Sequence, residues 1–527
     1  MDPVATIVWI VSFVLVTVTV TGVSRRVGWS APVVLVAVGA VVSFIPGVPQ
    51  VQIQPELILY GLLPPLLFAA AIQTSFVDVR ARRDGILLLS VGLVVFTVVV
   101  VGFATWLVVP TLTVAAAFAF GAVVAPTDTV AVTAIAGRLH LPRRLVTVLE
   151  GESLLNDATA LVALNATIAA IVSVVNPLAI ATDFVLAVVV GVAVGLLVGY
   201  VLANIRKQLR APVLDTSLGL ITPYLAFIPA QFLHGSGILA VVVAGLYLGF
   251  RSPTIQTAEA RIAETINWRT ISFLLENAVF LFIGLELAGI ATGAFNSGIT
   301  VGRTIAASVV VLFALFLARL IWMVLTTTLY KYGPQRLRER GWNWATSIAV
   351  SFAGIRGVVT LAAVFLLPPQ TPDREFLQFL AFIVVVGTLL EGLALPWVIR
   401  RLKLPPPDFR QESGEMQRLL AEAQTAGLAK LEQEVTGDED ERVVERLRIN
   451  AVFLADALEN PTPVEGGEDA QYAYMRLRRS MIKAERSAVL DARSEGRYQE
   501  LAVRSVLAFL DAEESALKSS GPKKPLN

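Results

Sequence analysis

The sequence predicts an all-α polytopic membrane protein with a helical tail outside the membrane, and its composition leads directly to this fold class. Apolar residues make up 55% of the 527 residues, only 16% are charged, and the mean hydropathy is +0.71. Soluble proteins average about 25% charged residues. A water-soluble chain of this length could not cover so much apolar surface, so most of it is expected to lie in lipid.

The net charge of +1 combines two unlike regions that meet near Pro405. Residues 1–405 contain 25 Lys and Arg against 18 Asp and Glu, or +7, and residues 406–527 contain 17 against 23, or −6. Only the first region has apolar runs near the ~20 residues that cross a bilayer. It is therefore the predicted transmembrane domain, and 406–527 is the predicted cytoplasmic helical tail. The near-neutral total excludes a generally basic nucleic-acid binder.

Cysteine and histidine usage excludes several kinds of chemistry. The chain has no cysteine and only His140 and His234. Disulfides, thiol catalysis and a histidine-rich metal site are therefore not expected.

Thirteen apolar segments are expected to cross the membrane. Their approximate bounds are 4–24, 31–46, 55–77, 85–109, 112–136, 145–173, 180–203, 213–233, 236–250, 269–290, 304–329, 343–367 and 376–399. The first segment does not resemble a cleaved signal peptide, because Arg25 and Arg26 follow it rather than precede it.

The loops between these segments alternate in charge. One set carries most of the basic residues: Arg25, Arg26, Arg80, Arg82, Arg83, Arg138, Arg143, Arg144, Arg206, Lys207, Arg210, Arg251, Arg261, Lys331, Arg336, Arg338, Arg340, Arg400, Arg401 and Lys403. The other set has little beyond Arg303 and Arg374. Because basic loops stay in the cytoplasm, thirteen spans place the N-terminus outside and the C-terminus inside.

Thirteen spans also allow two inverted six-helix repeats joined by span 7, as in many secondary transporters. Interruptions fall at matching places, with Gly121 and Pro126 in span 5 and Gly354 and Gly357 in span 12. Proline and glycine weaken a helix, so helices 5 and 12 are predicted to be broken. Both residues are common in membrane helices, but the matched positions and a charge beside each break favour a functional role.

Charged residues within the spans are expected to have a structural or functional role, because a charge at the bilayer centre costs at least ~3 kcal/mol. The deep ionisable residues are Asp128, Glu150, Glu152, Asp157, Glu276, Glu286, Arg319, Arg356 and Glu391. Glu276 is expected to partner a helix break or an arginine, Glu286 to be solvated near the outer end of its span, and Glu391 has no assigned role.

Span 6 holds the densest polar cluster. On a helix, Ser153 and Asp157 share one stripe. Glu152 and Asn156 share the next, so one face presents a hydroxyl, an amide and two carboxylates. Such oxygen ligands suit a hard cation, and the predicted break in span 5 would add a carboxylate, a hydroxyl and free carbonyls.

The arginines cannot neutralise every deep acid. A purely structural interpretation pairs the acids with Arg319 and Arg356, and we favour it for Glu152. Two arginines cannot satisfy Asp128, Glu152 and Asp157 together, so one carboxylate remains, and we assign it to Asp157. A buried carboxylate without a countercharge takes up a proton or a monovalent cation. Competition for that acid would couple the two ions in opposite directions.

Two other classes of protein also use acids in the membrane. An intramembrane aspartyl protease would use Asp128 and Asp157 to activate water, but the Gly-x-Gly-Asp context of those enzymes is missing. A cation channel needs a continuous pore, whereas paired interrupted helices favour alternating access. Neither an enzymatic activity nor a cofactor is predicted.

Three motifs carry a family resemblance: Ala125-Pro126-Thr127-Asp128, Glu152-Ser153-Leu-Leu-Asn156-Asp157 and Gly354-Ile-Arg356-Gly357. They resemble motifs of the monovalent cation:proton antiporter family 1, the bacterial and eukaryotic sodium/proton exchangers, over about residues 5–400. The tail, with helices expected at 411–435, 440–459, 468–495 and 497–516, looks like that of a bacterial subgroup. It is either a solvated appendage or a regulatory or dimer-supporting module.

The resemblance implies a homodimer in a bacterial plasma membrane, with an ion-carrying core domain that moves like an elevator against a dimerisation domain. It implies that Asp157 carries the ion and the proton, and that the Na⁺ site is completed by Asp128, Thr127 and Ser153. The Asn156-Asp157 pair implies electroneutral one-for-one exchange, since relatives with two acidic residues there are electrogenic.

The resemblance also implies that Glu152 pairs with an arginine, for which Arg319 is the first choice and Arg356 the second. The sequence departs from the family pattern at Ala69, where many members have an acidic residue. A cation contact made by that acid cannot operate in the same way here, so the preference among Na⁺, Li⁺ and K⁺ is left open.

Overall fold

The computed structural model describes most of the apolar region and parts of the tail. The described residues are 3–45, 57–128, 143–172, 177–296, 300–338 and 342–403, followed by 426–433, 435, 444–445, 448–449, 478, 480–485, 489, 510, 512–514 and 516–517. Every regular element within these ranges is helical. The chain divides into two compact units, Met1–Pro407 and Asp408–Asn527.

The helices of the first unit, within the described ranges, are numbered here in chain order. They are α1 (Pro3–Val27), α2 (Ala31–Ser43), α3 (Leu63–Gln73), α4 (Phe76–Ala81), α5 (Arg83–Leu87), α6 (Val94–Val108), α7 (Val114–Val124), α8 (Arg143–Val172), α9 (Pro177–Arg206), α10 (Pro212–Phe232), α11 (Gly237–Ile255), α12 (Ala258–Leu285), α13 (Leu287–Asn296), α14 (Val301–Tyr332), α15 (Gln335–Arg338), α16 (Trp344–Phe352), α17 (Val358–Phe365), α18 (Arg374–Gly392) and α19 (Leu395–Leu402). Two π-helical turns, Leu57–Leu62 and Leu88–Leu93, lead into α3 and α6.

Nine helical stretches of the described chain are long and apolar enough to cross a membrane. Three shorter apolar helices accompany them: Ala31–Ser43, Tyr60–Gln73 and Val114–Val124. The prediction of an all-helical, multi-pass membrane protein is thereby confirmed at this level. The count of thirteen spans and the inverted repeats stay predictions, because residues 129–142, in and beyond predicted span 5, lie outside the described residues.

The helix ends at the first of the two places where the sequence predicts a break, and it is interrupted at the second. Helix α7 ends at Val124, and residues 125–128 are not helical. Helix α16 ends at Phe352, and α17 begins only at Val358. Glycine fixes the position of α7, because a Cβ added to Gly121 would lie 2.6 Å from the carbonyl oxygen of Val98 in α6. Small residues of this kind allow membrane helices to touch along their backbones.

Glycine contacts also join other pairs of helices. A Cβ on Gly39 of α2 would lie 2.9 Å from the Cα of Gly284 in α12. On α9, added Cβ atoms at Gly191 and Gly195 would lie 2.7 Å and 2.6 Å from carbonyl oxygens of the α11 segment. A spacing of four residues puts both glycines on one face of α9. Helix α9, the predicted span 7, therefore packs closely along α11.

The two π-helical turns have a feature in common that the sequence did not predict. A π turn interrupts the regular α-helical hydrogen-bond ladder, and a buried carbonyl needs a donor. The Tyr224 hydroxyl donates to the Gly61 carbonyl at 2.6 Å, and the Trp322 indole donates to the Leu88 carbonyl at 3.1 Å. An aromatic side chain of another helix thus supplies a donor to each π turn.

A buried polar network joins the ends of four helices around Arg206. The Arg206 guanidinium donates to Asp215 at 2.9 Å and to Glu264 at 2.6 Å. The Gln256 amide donates to the same two carboxylates at 2.6 Å and 2.8 Å. The sequence pattern places Arg206 only in a basic loop and does not indicate this network. The sequence signal for this network is the pair Asp215 and Glu264, two acidic residues near the ends of apolar helices in loops that are otherwise basic.

Replacing Arg206 with alanine is expected to lower the free energy of unfolding by about 3–5 kcal/mol, because it leaves two buried carboxylates without their countercharge. Melting of the purified protein in detergent, followed by tryptophan fluorescence, would measure the loss. Lys207→Ala is the matched control, since Lys207 is the next residue and is exposed. Equal melting temperatures for the two variants would contradict the assigned role of the network.

The second unit is described only in part. Residues 426–433 are helical and fall within the first predicted tail helix, and most of the other predicted tail segments lie outside the described residues. Arg478 donates two hydrogen bonds of 2.7 Å to Glu513 and one of 2.8 Å to Glu485. These hydrogen bonds hold the pKa of Glu513 below its ordinary value. Ion pairs and a few buried aliphatic side chains therefore stabilise the described part of the tail.

Candidate ion-binding site

The non-helical residues 125–128 and 353–357 meet, and each of these breaks supplies a donor to the other. The Arg356 Nε atom donates to the carbonyl of Val124, the last residue of α7, at 3.0 Å. The Asp128 backbone N–H donates to the Ile355 carbonyl at 2.8 Å. The last carbonyls of a helix have no partner within that helix. Reciprocal bonding therefore holds the two breaks against each other within the unit.

Arg356 is bound mainly by backbone. Besides Val124, its guanidinium donates to the carbonyl of Gly354, and its own N–H donates to the Thr388 hydroxyl of α18 at 3.0 Å. The side chain is buried. Among the described residues no hydrogen bond or ion pair joins Arg356 to Glu152, so Arg356 acts here as a donor to the free carbonyls of the breaks.

Arg319 of α14 pairs with Glu152 of α8. Its Nη1 and Nη2 atoms lie 2.6 Å and 3.0 Å from the two carboxylate oxygens of Glu152. Its Nε atom donates to the Val350 carbonyl near the end of α16 at 2.8 Å. Both side chains are almost fully buried. A two-point arginine–carboxylate contact is geometrically specific, so this pair neutralises Glu152 and ties α8 to α14.

Thr127, in the break after α7, is the centre of the polar contacts on α8. Its hydroxyl donates to Glu152 at 3.2 Å and accepts from the Asn156 amide at 2.8 Å. The Ser153 hydroxyl donates to the Thr127 carbonyl at 2.7 Å. One turn of α8 therefore holds the non-helical backbone in place. The three α8 side chains are those predicted to share adjacent stripes, and Thr127 belongs to the predicted break.

Asp157 lies one turn further along α8 and is 5% exposed. Among the described residues, no hydrogen bond or ion pair reaches its carboxylate, although it is close enough to Asp128 for the two charges to interact. The Asn156 Oδ1 atom is also buried without a donor in the described part of the chain. The site therefore has a buried acid and a buried amide oxygen that these residues leave available to a cation.

Asp128 lies directly over Gly357 at the start of α17. A Cβ added to Gly357 would overlap the Asp128 carboxylate, and its distance to the carboxylate carbon would be 2.7 Å. Asp128 is half-buried. The glycine in the second break therefore leaves the space that the carboxylate of the first break occupies.

Gly357→Ala is expected to reduce the cation/proton exchange that the family resemblance implies by at least about tenfold, because a displacement of about 1 Å at a site can cost ~10²-fold in rate. Exchange in proteoliposomes would measure the effect. Gly22→Ala in α1 is the control, since a Cβ there meets nothing within 4 Å. Alanine in a helix stabilises it by up to ~1 kcal/mol relative to glycine. Full activity in Gly357→Ala would contradict the assigned contact.

The other deep acids lie outside this set of hydrogen bonds. Glu276 of α12 is half-buried and close enough to Asp128 to interact electrostatically. No hydrogen bond or ion pair joins it to an arginine or to a helix break within the described chain, and its expected structural partner stays a prediction. Glu286, expected to be solvated, is half-buried at the end of α12. Glu391, in α18, interacts electrostatically with Arg356 and Arg319.

A helical, multi-pass membrane protein with a buried acid beside two non-helical segments that meet has the architecture of a secondary transporter. The profile described as "Sodium/hydrogen exchanger, transmembrane" matches residues 11–401. The chain therefore belongs to the sodium/hydrogen exchanger family. The earlier resemblance to cation:proton antiporters is thereby confirmed.

Relatives of this family align with most of the chain. Rv2287 of Mycobacterium tuberculosis (strain H37Rv), named as an uncharacterized Na(+)/H(+) exchanger, is 30% identical over 516 residues, which cover 95% of this chain and 93% of that protein. A sodium, potassium, lithium and rubidium/H(+) antiporter of Bacillus pumilus is 31% identical over 381 residues, or 69% of this chain and 57% of that protein.

A solved structure has a similar fold. The sodium proton antiporter MjNhaP1 from Methanocaldococcus jannaschii, determined at pH 8, has a TM-score of 0.63 and 20% identity. The alignment covers 77% of this chain and 99% of that one. At this identity the similarity concerns the fold alone.

Proposed function

We propose that this protein is a secondary active antiporter that exchanges Na⁺ for H⁺ across a bacterial plasma membrane. The observation that carries the proposal is the contrast between two acids of α8. Glu152 is neutralised by Arg319, whereas Asp157 is buried without a hydrogen bond or ion pair among the described residues. A buried carboxylate with no countercharge is costly unless it binds a proton or a cation. Asp157 is therefore the proposed carrier.

The proposed Na⁺ ligands are oxygen atoms around the first break. The carboxylates of Asp157 and Asp128 supply the charge, and the polar groups of Thr127, Ser153 and Asn156 complete the site. Asn156 supports this arrangement because its Oδ1 atom lacks a donor in the described chain. Oxygen ligands suit a hard monovalent cation.

Competition between the two ions provides the coupling. A proton and Na⁺ cannot both occupy Asp157, so a carrier that crosses only when occupied exchanges one ion for the other. The Asn156-Asp157 pair resembles that of the electroneutral members of the family, and exchange is therefore proposed to be electroneutral. Such a transporter needs no cofactor and catalyses no covalent reaction.

The proposed transport cycle is of the elevator type, in a homodimer. Thirteen spans with inverted repeats, an external N-terminus and a cytoplasmic tail are the topology we propose. Support comes from the helix breaks in both halves, which meet at the site, and from the alternation of basic loops. Alternating access in inverted-repeat transporters is largely rigid-body movement around such a site.

The ion preference has a second candidate. The name of the Bacillus pumilus relative includes potassium and lithium, and Ala69 replaces the acid that many family members have. K⁺/H⁺ exchange is therefore the alternative. A cation channel is less well supported, since the meeting of two broken helices favours alternating access, and an intramembrane aspartyl hydrolase lacks its motif.

Proteoliposomes loaded with a pH-sensitive dye provide the test. An inward Na⁺ gradient should drive protons outward, saturably and without generating a membrane potential, and clamping the potential with valinomycin and K⁺ should leave the rate unchanged. Parallel assays with Li⁺ and K⁺ define the preference. Cation flux without proton movement would overturn the antiport proposal, and a rate set by the membrane potential would overturn electroneutrality.

A further inference from the structure

An apolar groove runs along one face of α2. Its volume is about 640 Å³, and it is lined by side chains of α2 on one side and by Leu393, between α18 and α19, on the other. Within α2, Val36 and Gly39 are buried in the contact with α12, whereas Val41 is 68% exposed. The groove therefore lies on the face of α2 turned away from its helical neighbour.

The dimensions of the groove fit one hydrocarbon chain. Its lining extends from Val33 to Val42. Ten helical residues rise about 15 Å, which is half of the ~30 Å hydrocarbon core of a bilayer. Ligand-binding pockets usually have volumes of about 300–1,000 Å³. The groove therefore spans the depth of a single leaflet with room for an acyl chain.

The mouth of the groove has the chemistry of a membrane surface. Gly28, Trp29 and Ser30 line it, in the turn between α1 and α2. Trp29 is largely exposed, and tryptophan favours the membrane–water interface. The last turn of α1, just before this mouth in sequence, carries Arg25 and Arg26. The Arg25 guanidinium lies 5.4 Å from the centroid of the Phe273 ring in α12, so Arg26 is the basic side chain that we assign to the mouth. Basic side chains at this depth attract anionic headgroups.

We propose that this groove binds one acyl chain of an anionic phospholipid, whose headgroup lies beside Arg26. The proposal goes beyond ion exchange and depends only on the membrane location of the protein. A second copy of the chain is a weaker occupant. In a two-fold interface the same patch meets itself, so the arginines of both copies would approach each other, and like charges oppose such contacts.

The groove is also connected to the ion-binding region. Leu393 follows α18 directly, and Thr388 of α18 accepts the hydrogen bond of the Arg356 backbone. A lipid in the groove therefore contacts the end of the helix that supports the second break.

Photo-crosslinking in proteoliposomes of the full-length protein tests the proposal. The probe is phosphatidylglycerol with a diazirine midway along one acyl chain, compared with phosphatidylcholine carrying the same chain. Phosphatidylglycerol should label the fragment containing residues 31–43 at least about fivefold more strongly than phosphatidylcholine, because of the basic mouth. Mass spectrometry of the digested protein locates and quantifies the adducts.

Variants separate the parts of the site. Ala37→Trp fills the groove and should remove the α2 label, whereas Val11→Trp, on the lipid-exposed face of α1, should leave it unchanged. Arg26→Gln should reduce the preference for phosphatidylglycerol. Should Ala37→Trp fail to fold, Val41→Trp at the exposed end of the groove provides the same block.

Three results would overturn the proposal. The first is equal labelling by the two lipids, and the second is labelling that survives both groove-filling variants. A third concerns a second copy of the chain. Because the protein has no cysteine, Val41→Cys introduces a single thiol, and efficient disulfide formation between two chains would assign the groove to a protein interface instead. Failure of ion exchange would leave these lipid measurements unaffected.

Discussion

Asp157→Asn is expected to reduce sodium-driven proton movement in proteoliposomes to the background of empty liposomes, a loss of at least about 100-fold. The carboxylate is the buried group of the site that no described residue neutralises. Asparagine has nearly the same shape but can neither carry a charge nor bind a proton near neutral pH. The substitution therefore removes the group for which Na⁺ and H⁺ compete.

The control for this variant is Asp183→Asn, which makes the same chemical change on an exposed residue of α9. It should transport at the wild-type rate. Asp157→Asn should also melt at or above the wild-type temperature, because it removes an uncompensated buried charge. A folded Asp157→Asn protein that still exchanges Na⁺ for H⁺ would show that another acid carries the ions, and Asp128 and Glu276 would be the next candidates.

The polar cluster of α8 could be predicted because a helix determines which side chains share a face. The spacing of Glu152, Ser153 and Asn156 places them on adjacent stripes, and in the structure all three contact Thr127. Helix breaks could be predicted because proline and glycine act locally. These features depend on short stretches of chain, so a single sequence contains the necessary information.

The parts that could not be predicted depend on contacts between distant segments. Arg319 and Arg356 are both deep arginines, and the sequence alone could not decide which of them reaches Glu152. In the structure the two breaks meet, and their free carbonyls bind the Arg356 side chain. Arg319 is therefore the arginine that pairs with Glu152. Arg206 was assigned to a loop for the same reason, because its acidic partners are 9 and 58 residues away in sequence.

Breaking the ion pair at Arg319 is the second large effect expected. Arg319→Gln leaves the Glu152 carboxylate buried without its countercharge, and Glu152→Gln leaves the guanidinium in the same situation. Each single substitution is expected to cost about 3–5 kcal/mol in the free energy of unfolding. The eight tryptophans of the chain allow melting to be followed by fluorescence.

The double variant Glu152→Gln/Arg319→Gln should be more stable than the sum of the two single losses predicts. It contains neither buried charge, so the penalty that dominates each single variant is absent, and residues in direct contact are not expected to be additive. Additive losses would mean that the pair contributes no mutual stabilisation. Because the pair joins α8 to α14 without contacting Asp157, the folded double variant should retain measurable exchange. A stable double variant without exchange would instead give Glu152 or Arg319 a direct part in ion movement.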